Sequence, residues 1–216
     1  MITLSLQDDF AALDRRLERM LDPAARGVAT RQALNKVAAK ARTTARRQVR
    51  AHYNLKASEI NPRISLAPAR GSDLDRLIAV VQALPSPSTP GRSMNVIRFV
   101  VRRVSRQERQ RRKTRGIDSV VRRETRRGRT RTFPVLFFQI RRDGVPQRIR
   151  GAFIGNRGRT VFRRLVRGRL PIESVQTIDV TQMFAARKVL DPVVQRIRDE
   201  LPIEVERALR RALERT

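Results

Sequence analysis

Residues 150–175, RGAFIGNRGRTVFRRLVRGRLPIESV, decide how this chain is read. Two short runs rich in β-branched and aromatic residues, IRGAFIGN and RTVFRRLV, flank Arg157-Gly158, which is the spacing and residue type of a tight hairpin. Strands therefore occupy the middle of a chain whose two ends carry helical periodicity. The density of arginine in the same segment sets the functional question, because residues that pair as strands also present guanidinium groups to something.

Working toward the N-terminus, FPVLFFQI is apolar on both faces and reads as a strand, followed by a turn at Asp143-Gly144. NVIRFVVRRV reads as another strand. LDRLIAVVQALPSPS fits a strand or a short helix, and a Pro/Ser/Gly cluster separates the two. These runs make a mainly antiparallel sheet of roughly four or five strands. Toward the C-terminus, RLPIESVQTIDVTQMF has a proline and little period, and reads as an ordered crossing segment.

Helices flank this region. Phe10, Leu13, Leu17, Met20 and Leu21 recur at three and four, so residues 7–21 read as a helix. Asp22-Pro23 supplies an N-cap and a first-turn proline for a second helix reaching about Tyr53. Its stripe of Leu34, Val37, Ala38, Ala41, Ala45 and Val49 is narrow and alanine-rich, which lets a neighbour approach closely, while Lys36, Lys40, Arg42, Arg46, Arg47 and Arg50 face elsewhere. Asn54 is suited to ending this helix in the left-handed conformation, and KASEINPRISL reads as a helical turn halted before Pro62. Asp191-Pro192 repeats the cap-plus-proline start. Val194, Ile197, Leu201, Val205, Leu209 and Leu213 then form a terminal stripe with Pro202 inside it, where a kink is expected.

The order helices, sheet, helix is that of an α+β domain. We read residues 1–216 as a single domain: N-terminal helices over 1–54, a sheet region over 74–180 with long basic loops, and a C-terminal helix over 189–216. The sequence has no internal repeat. Residues 106–131 contain almost nothing that can be buried and read as a long, mobile basic excursion, with IDSVV as a brief strand inside it.

Composition narrows the function classes. The chain carries 49 Lys+Arg against 20 Asp+Glu, a formal charge of +29, which repels itself in a compact state and calls for a polyanion or acidic neighbours. Only five basic residues are lysine, so the charge is guanidinium, whose planar fork matches phosphates and carboxylates. Cysteine is absent, which excludes disulfides, thiolate metal sites and cysteine nucleophiles. The segment MITLSLQDDF has acids where a secretory signal needs basic residues, and no stretch reaches roughly 18 apolar residues, so synthesis and folding in the cytosol are expected.

No catalytic constellation emerges, and the chain reads as non-enzymatic. His52 is the single histidine, beside the single tyrosine, Tyr53, at a helix end, with no second ligand to complete a metal site or dyad. Asp8, Asp9, Asp14 and Glu18 lie on the first helix as a solvated or partner-facing surface. Neither GNRGR nor RGRL has the glycine spacing of a nucleotide loop, and the basic middle lacks the clustered carboxylates of a metal-dependent nuclease. No catalytic residue, cofactor or metal ligand is therefore assigned.

Charge placement is the informative signal. Residues 92–169 hold 26 Lys+Arg and four acids, whereas the terminal helix from Val189 has six of each sign. The candidate contact residues are Arg109, Arg111, Arg112 and Lys113 in RQERQRRKTRG, and Arg126, Arg127, Arg129 and Arg131 in RRETRRGRTR. Arg157, Arg159, Arg163 and Arg164 on the hairpin complete the set. They suit either a nucleic-acid backbone, bound through counterion release without sequence information, or acidic surfaces of neighbouring subunits. The basic runs contain no aromatic residue, so double-stranded DNA or protein fits better than base stacking. A membrane-surface role lacks the required aromatic apolar helix face.

Taken in order, ARRQVRAHYNLKASEINPRISL, GAFIGNRGRTVFRR, RLPIESVQTIDVTQMF and a terminal helix resemble the prophage minor tail protein Z family, the tail-completion proteins of long-tailed bacteriophages. The likeness spans residues 25–213, and its most specific parts are GAFI, GRTVFRR, RLPI and QMF. The arginine-dense insertion at 106–131 departs from it. The resemblance implies a non-enzymatic virion component at the head-proximal neck of the tail. It also implies a homo-oligomeric ring of six or a multiple of six subunits around the DNA path. The implied partners are the tail tube or tail terminator protein, the head–tail connector proteins and genomic double-stranded DNA. The alternative is a free basic nucleic-acid-binding accessory protein.

Overall fold

The computed structural model describes residues 2–4, 22–85, 93–103, 121–126, 129–134, 136–149, 151–166 and 170–214. In chain order these form β1 (Ile2–Leu4), α1 (Pro23–His52), α2 (Ala57–Ile60), β2 (Ile64–Ala67) and β3 (Ala79–Ala83). There follow β4 (Ser93–Asn95), β5 (Val100–Arg103), β6 (Val121–Arg126), β7 (Arg129–Pro134), β8 (Leu136–Phe138) and β9 (Gln147–Arg148). Last come β10 (Ala152–Gly155), β11 (Thr160–Arg164), β12 (Ile172–Ser174), β13 (Gln176–Ile178), α3 (Val180–Ala185) and α4 (Arg187–Leu213). The class is α+β, as expected. The helix read over 7–21 lies outside the described residues.

The chain folds as two compact units. The first comprises Met1–His52, Lys56–Arg92 and Asp179–Thr216, and the second Tyr53–Leu55 and Ser93–Ile178.

In the first unit α1 and α4 pack along one another. The alanine stripe explains the fit: Ala33, Ala38, Ala41 and Ala45 are buried beside Leu34, Val37 and Val49, so the backbone of α4 comes close enough to bury Val189, Val193, Ile197, Leu201, Val205 and Leu209. Helix α1 starts where the Asp22-Pro23 pair places it, with the Arg26 N–H donating to the Asp22 carbonyl at 3.0 Å. Gly27 is required by close approach, since a Cβ there would stand 1.7 Å from the Ser72 carbonyl oxygen. Below the helices lies the antiparallel sheet β1-β3-β2. Leu77, Val81, Ile60 and Ile64 join Val180, Met183 and Phe184 of α3 in the core.

Two sequence readings are corrected, one in each unit. Helix α4 begins at Arg187, not at Asp191-Pro192, because Ala186 takes an extended conformation and caps it, its carbonyl accepting from the Val189 and Leu190 N–H groups. Starting earlier puts Val193 in the core and leaves Val194 and Leu213 half-buried. The crossing segment, read as ordered, carries β12, β13 and most of α3. Asp179 opens α3, where the Gln182 side-chain oxygen accepts the Asp179 N–H at 3.2 Å, the returning half of a capping box. Asn54 does not adopt the left-handed conformation; its N–H donates to the Ile140 carbonyl at 2.9 Å.

The second unit holds the remaining strands, all paired antiparallel but distributed among small sheets rather than one central sheet: β10-β11-β12, β13-β4, β5-β8-β9 and β6-β7. Short strands interrupted by turns account for this. NVIRFVVRRV, read as one strand, is split by a 3₁₀ turn at Val96–Phe99 into β4 and β5, which then pair with different partners. The core of this unit centres on Val96, Phe138 and Val161, with Ile97, Ile149, Ala152, Ile154 and Val175 packed against it.

Candidate interaction surface

The hairpin β10–β11, extended by β12, has the best-defined geometry among the candidate segments. AFIG and TVFRR pair in the register Phe153↔Phe162 and Ile154↔Val161. The two phenylalanine rings stack at 5.9 Å between centroids with 30° between planes. That stack is why a glycine stands at 155: a Cβ there would meet the Phe162 ring at 2.9 Å.

Asn95 welds the hairpin to β4. Its Oδ1 accepts the N–H groups of Val161 and Ile97, each at 3.0 Å, and its Nδ2 donates to the Val161 carbonyl at 3.2 Å. Val161 is fully buried beneath it. One amide side chain thus does the work of a strand residue where the backbone of β4 turns away.

The connection between β10 and β11 places Asn156 at φ 48° and Arg157 at φ 52°, and the Arg159 N–H closes the turn on the Asn156 carbonyl at 3.1 Å. Asparagine accepts the left-handed region readily, arginine less so, and Arg157 holds it at a cost of about 1 kcal/mol. Arg157 and Arg159 are both exposed. No acidic partner stands against either among the described residues.

The other two hairpin arginines are engaged. The Arg163 guanidinium donates to the Glu173 carboxylate directly across the β11–β12 ladder. The Arg164 guanidinium lies 5.3 Å from the centroid of the Phe153 ring, a cation–π placement. Of the four, Arg157 and Arg159 form the end that is free to meet a partner.

Elsewhere the expected contact residues separate. Arg109, Arg111, Arg112, Lys113 and Arg127 lie outside the described residues. Arg126, Arg129 and Arg131 are on β6 and β7, where Arg126 is the register partner of Arg129 and Arg131 that of Glu124. Residues 121–126 and 129–134 are therefore paired strands rather than part of a mobile excursion, and the strand read at IDSVV lies outside the described residues except for Val121. His52 is half-buried in the last turn of α1.

Sequence reasoning missed two charged clusters in the first unit. Glu204, buried on α4, accepts Lys36 at 2.7 Å and Lys40 at 2.8 Å, and Lys40 also reaches Glu200 at 2.6 Å. The ammonium groups of Lys36 and then Lys40 hold the Glu204 carboxyl down at about 2. Lys40 is in turn raised above the usual lysine value, chiefly by Glu200 and then Glu204. Arg63 donates to Asp179 at 2.9 Å, both nearly inaccessible to water. These pairs tie helices and sheet together. The i, i+4 spacing of Lys36 and Lys40, and an acid at 204 between Leu201 and Val205, were the available signals.

Among the described residues no group of His, Cys, Asp and Glu is placed to hold a metal ion, and no helix is long and apolar enough to cross a membrane. No curated protein and no solved structure matches the chain. The family described as prophage minor tail protein Z (GPZ) matches residues 15–215. With that match over nearly all of the 216 residues, the chain belongs to the prophage minor tail protein Z family and is a structural component of a phage tail.

Proposed function

We propose that this tail protein acts at the head-proximal end of the tail, where copies of it assemble as a ring around the DNA path and make the tail competent to join the head. Family membership carries the reading. The distribution of charge supports it: the second unit holds 25 of the 49 basic residues and only five of the 20 acids, so each subunit has a strongly cationic part. Ring closure with six or a multiple of six subunits would use heterologous contacts. Its neighbours would be the tail tube or terminator protein and the head–tail connector proteins.

Within this role Arg157 and Arg159 present charge to DNA phosphates or to a neighbouring carboxylate surface. Replacing both by glutamate leaves folding intact, because neither packs in the core, and blocks tail joining. Normal infectious particles from that variant would end the assignment of these residues. Quantitative mass spectrometry of purified, DNA-filled particles tests the location itself: a fixed low copy number relative to the portal and tail-tube proteins supports it. Absence from finished particles favours the second reading, a free basic nucleic-acid-binding protein, which the net charge of +29 independently suits. That protein would bind duplex DNA with log affinity falling by about 0.9 per contacted phosphate for each decade of salt.

A further inference from the structure

One face of α1 is a row of polar side chains laid along the segment that contains β2. Arg31, Asn35, Arg42 and Arg46 follow one another at spacings of 4, 7 and 4, which puts them on one side of the helix. Three of them hold backbone. The Arg31 guanidinium donates to the Gly71 carbonyl at 3.1 Å, and Asn35 exchanges two hydrogen bonds with Ala69 at 2.7 and 3.1 Å. Arg46 Nη2 donates to the Asn61 and Ile64 carbonyls at 2.6 and 2.8 Å. Arg42, between Asn35 and Arg46 in the same row, makes no hydrogen bond among the described residues. Both arginine side chains are half-buried, and the Nε of each is shut off from water with no acceptor. No carboxylate stands against either guanidinium among the described residues.

We infer that Arg42 and Arg46 form a binding site for a small phosphate dianion, inorganic phosphate or a phosphate monoester, on the side of α1 that faces β2. The inference stands on this geometry and is independent of where the protein sits in the tail. Two like charges one helical turn apart repel. Burial, and after it the Arg42 charge, pulls Arg46 below the usual arginine value. An oxyanion bridging the two groups offsets both effects. The Nη groups of Arg42 and Nη1 of Arg46 are uncommitted donors, and the guanidinium fork matches the geometry of an oxyanion. Arg46 is pinned through Nη2, so one half of the site is fixed before a ligand arrives. Charge selects the ligand. A phosphate monoester carries about −1.5 to −2 at pH 7 and matches two guanidinium groups, whereas a carboxylate or an internal phosphodiester of DNA brings a single charge. Half-burial selects in the same direction: a duplex is met by arginines as exposed as Arg157 and Arg159, and a small anion by a pair set into the helix–strand contact.

The test titrates inorganic phosphate, phosphoserine, acetate and a DNA duplex with hydroxyl ends, each in turn, into the full chain at neutral pH, with ionic strength held by chloride. The readout is the side-chain Nε–H NMR signals of Arg42 and Arg46 in wild type, Arg42→Gln and Arg47→Gln, the last removing an exposed arginine from the same helix. In wild type, phosphate is expected to shift both Nε signals along one saturating curve, with acetate binding more weakly and duplex leaving them in place. Tighter binding of phosphoserine than of phosphate assigns the site to a monoester, and the reverse to the free ion. Arg42→Gln, read at Arg46, loses about tenfold or more in phosphate affinity, the scale of one charge-assisted hydrogen bond; Arg47→Gln binds as wild type does. Wild-type signals that do not saturate together overturn the inference, whether or not the variants fold. Equal phosphate affinity in the two variants means that the anion is held by general positive charge. Acetate binding as tightly as phosphate makes this a carboxylate site, and a shift with duplex but not with phosphate makes it a contact with DNA backbone. Each of these three results also overturns the inference.

Discussion

Replacing Glu204 by glutamine removes one charge from the α1–α4 interface while keeping its shape. The carboxylate is 3% exposed and accepts Lys36 and Lys40 at 2.7 and 2.8 Å. Its pKa is lowered from 4.5 to about 2, which by linkage corresponds to on the order of 3 kcal/mol of stability at neutral pH. Breaking a fully buried pair costs about 3–5 kcal/mol. The Lys36 side chain is 47% exposed and once released swings into water, while Lys40, 38% exposed, keeps Glu200, so the expected loss for Glu204→Gln is about 2 kcal/mol at pH 7. The sign with pH follows from the direction of the shift. Between pH 4.5 and 2 the unfolded chain binds the Glu204 proton while the folded chain does not, so wild type loses this contribution as the pH falls through that window. The variant has nothing to lose there. Urea unfolding followed by far-UV circular dichroism should show a lower midpoint for the variant at pH 7 and a gap reduced to about half or less at pH 3. Equal midpoints at pH 7, or a gap undiminished at pH 3, would refute the reasoning.

Gly27→Ala forces a methyl group against the Ser72 carbonyl oxygen and should lower stability by about 3 kcal/mol, read as a fall in thermal midpoint; an unchanged midpoint means the loop yields freely. Asn95→Ala leaves the Val161 and Ile97 N–H groups without their acceptor, at a cost of about 2 kcal/mol. Amide hydrogen exchange at those two residues should accelerate well beyond that at the Phe153–Phe162 pair, and uniform exchange across the hairpin would count against the role given to Asn95.

What the sequence disclosed was local. The α1 stripe, the Asp22-Pro23 start, the 57–60 turn and the β10–β11 hairpin each announce themselves within a few residues, and each is found where it was read. The start of α4 was misplaced because Asp191-Pro192 is a valid cap signal that a nearer break at Ala186 pre-empts. The pairing of β4 with β13 joins residues more than 80 positions apart, which no periodicity encodes. In RRETRRGRTR the charge masked the strand signal, although Thr125, Thr130 and Thr132 around Arg127-Gly128 have the two-residue spacing of a tight hairpin. At the candidate surface the sequence supplied the four hairpin arginines but not their division. Only the register that sets Arg163 against Glu173, and the ring beneath Arg164, separate the engaged pair from Arg157 and Arg159.

The first unit is assembled from segments that flank the second, and this has a kinetic meaning. Helix α1 ends at His52, yet the helix that covers its alanine stripe begins at Arg187. At about 5–20 residues per second on the ribosome, α1 waits roughly 7–27 s for that partner to be synthesised. Residues 93–178 are synthesised within that interval, before the partner helix. The tail protein's most helical part is thus its last to mature, and its yield in the cell depends on keeping a bare alanine-lined helix out of other contacts until translation has passed Leu209.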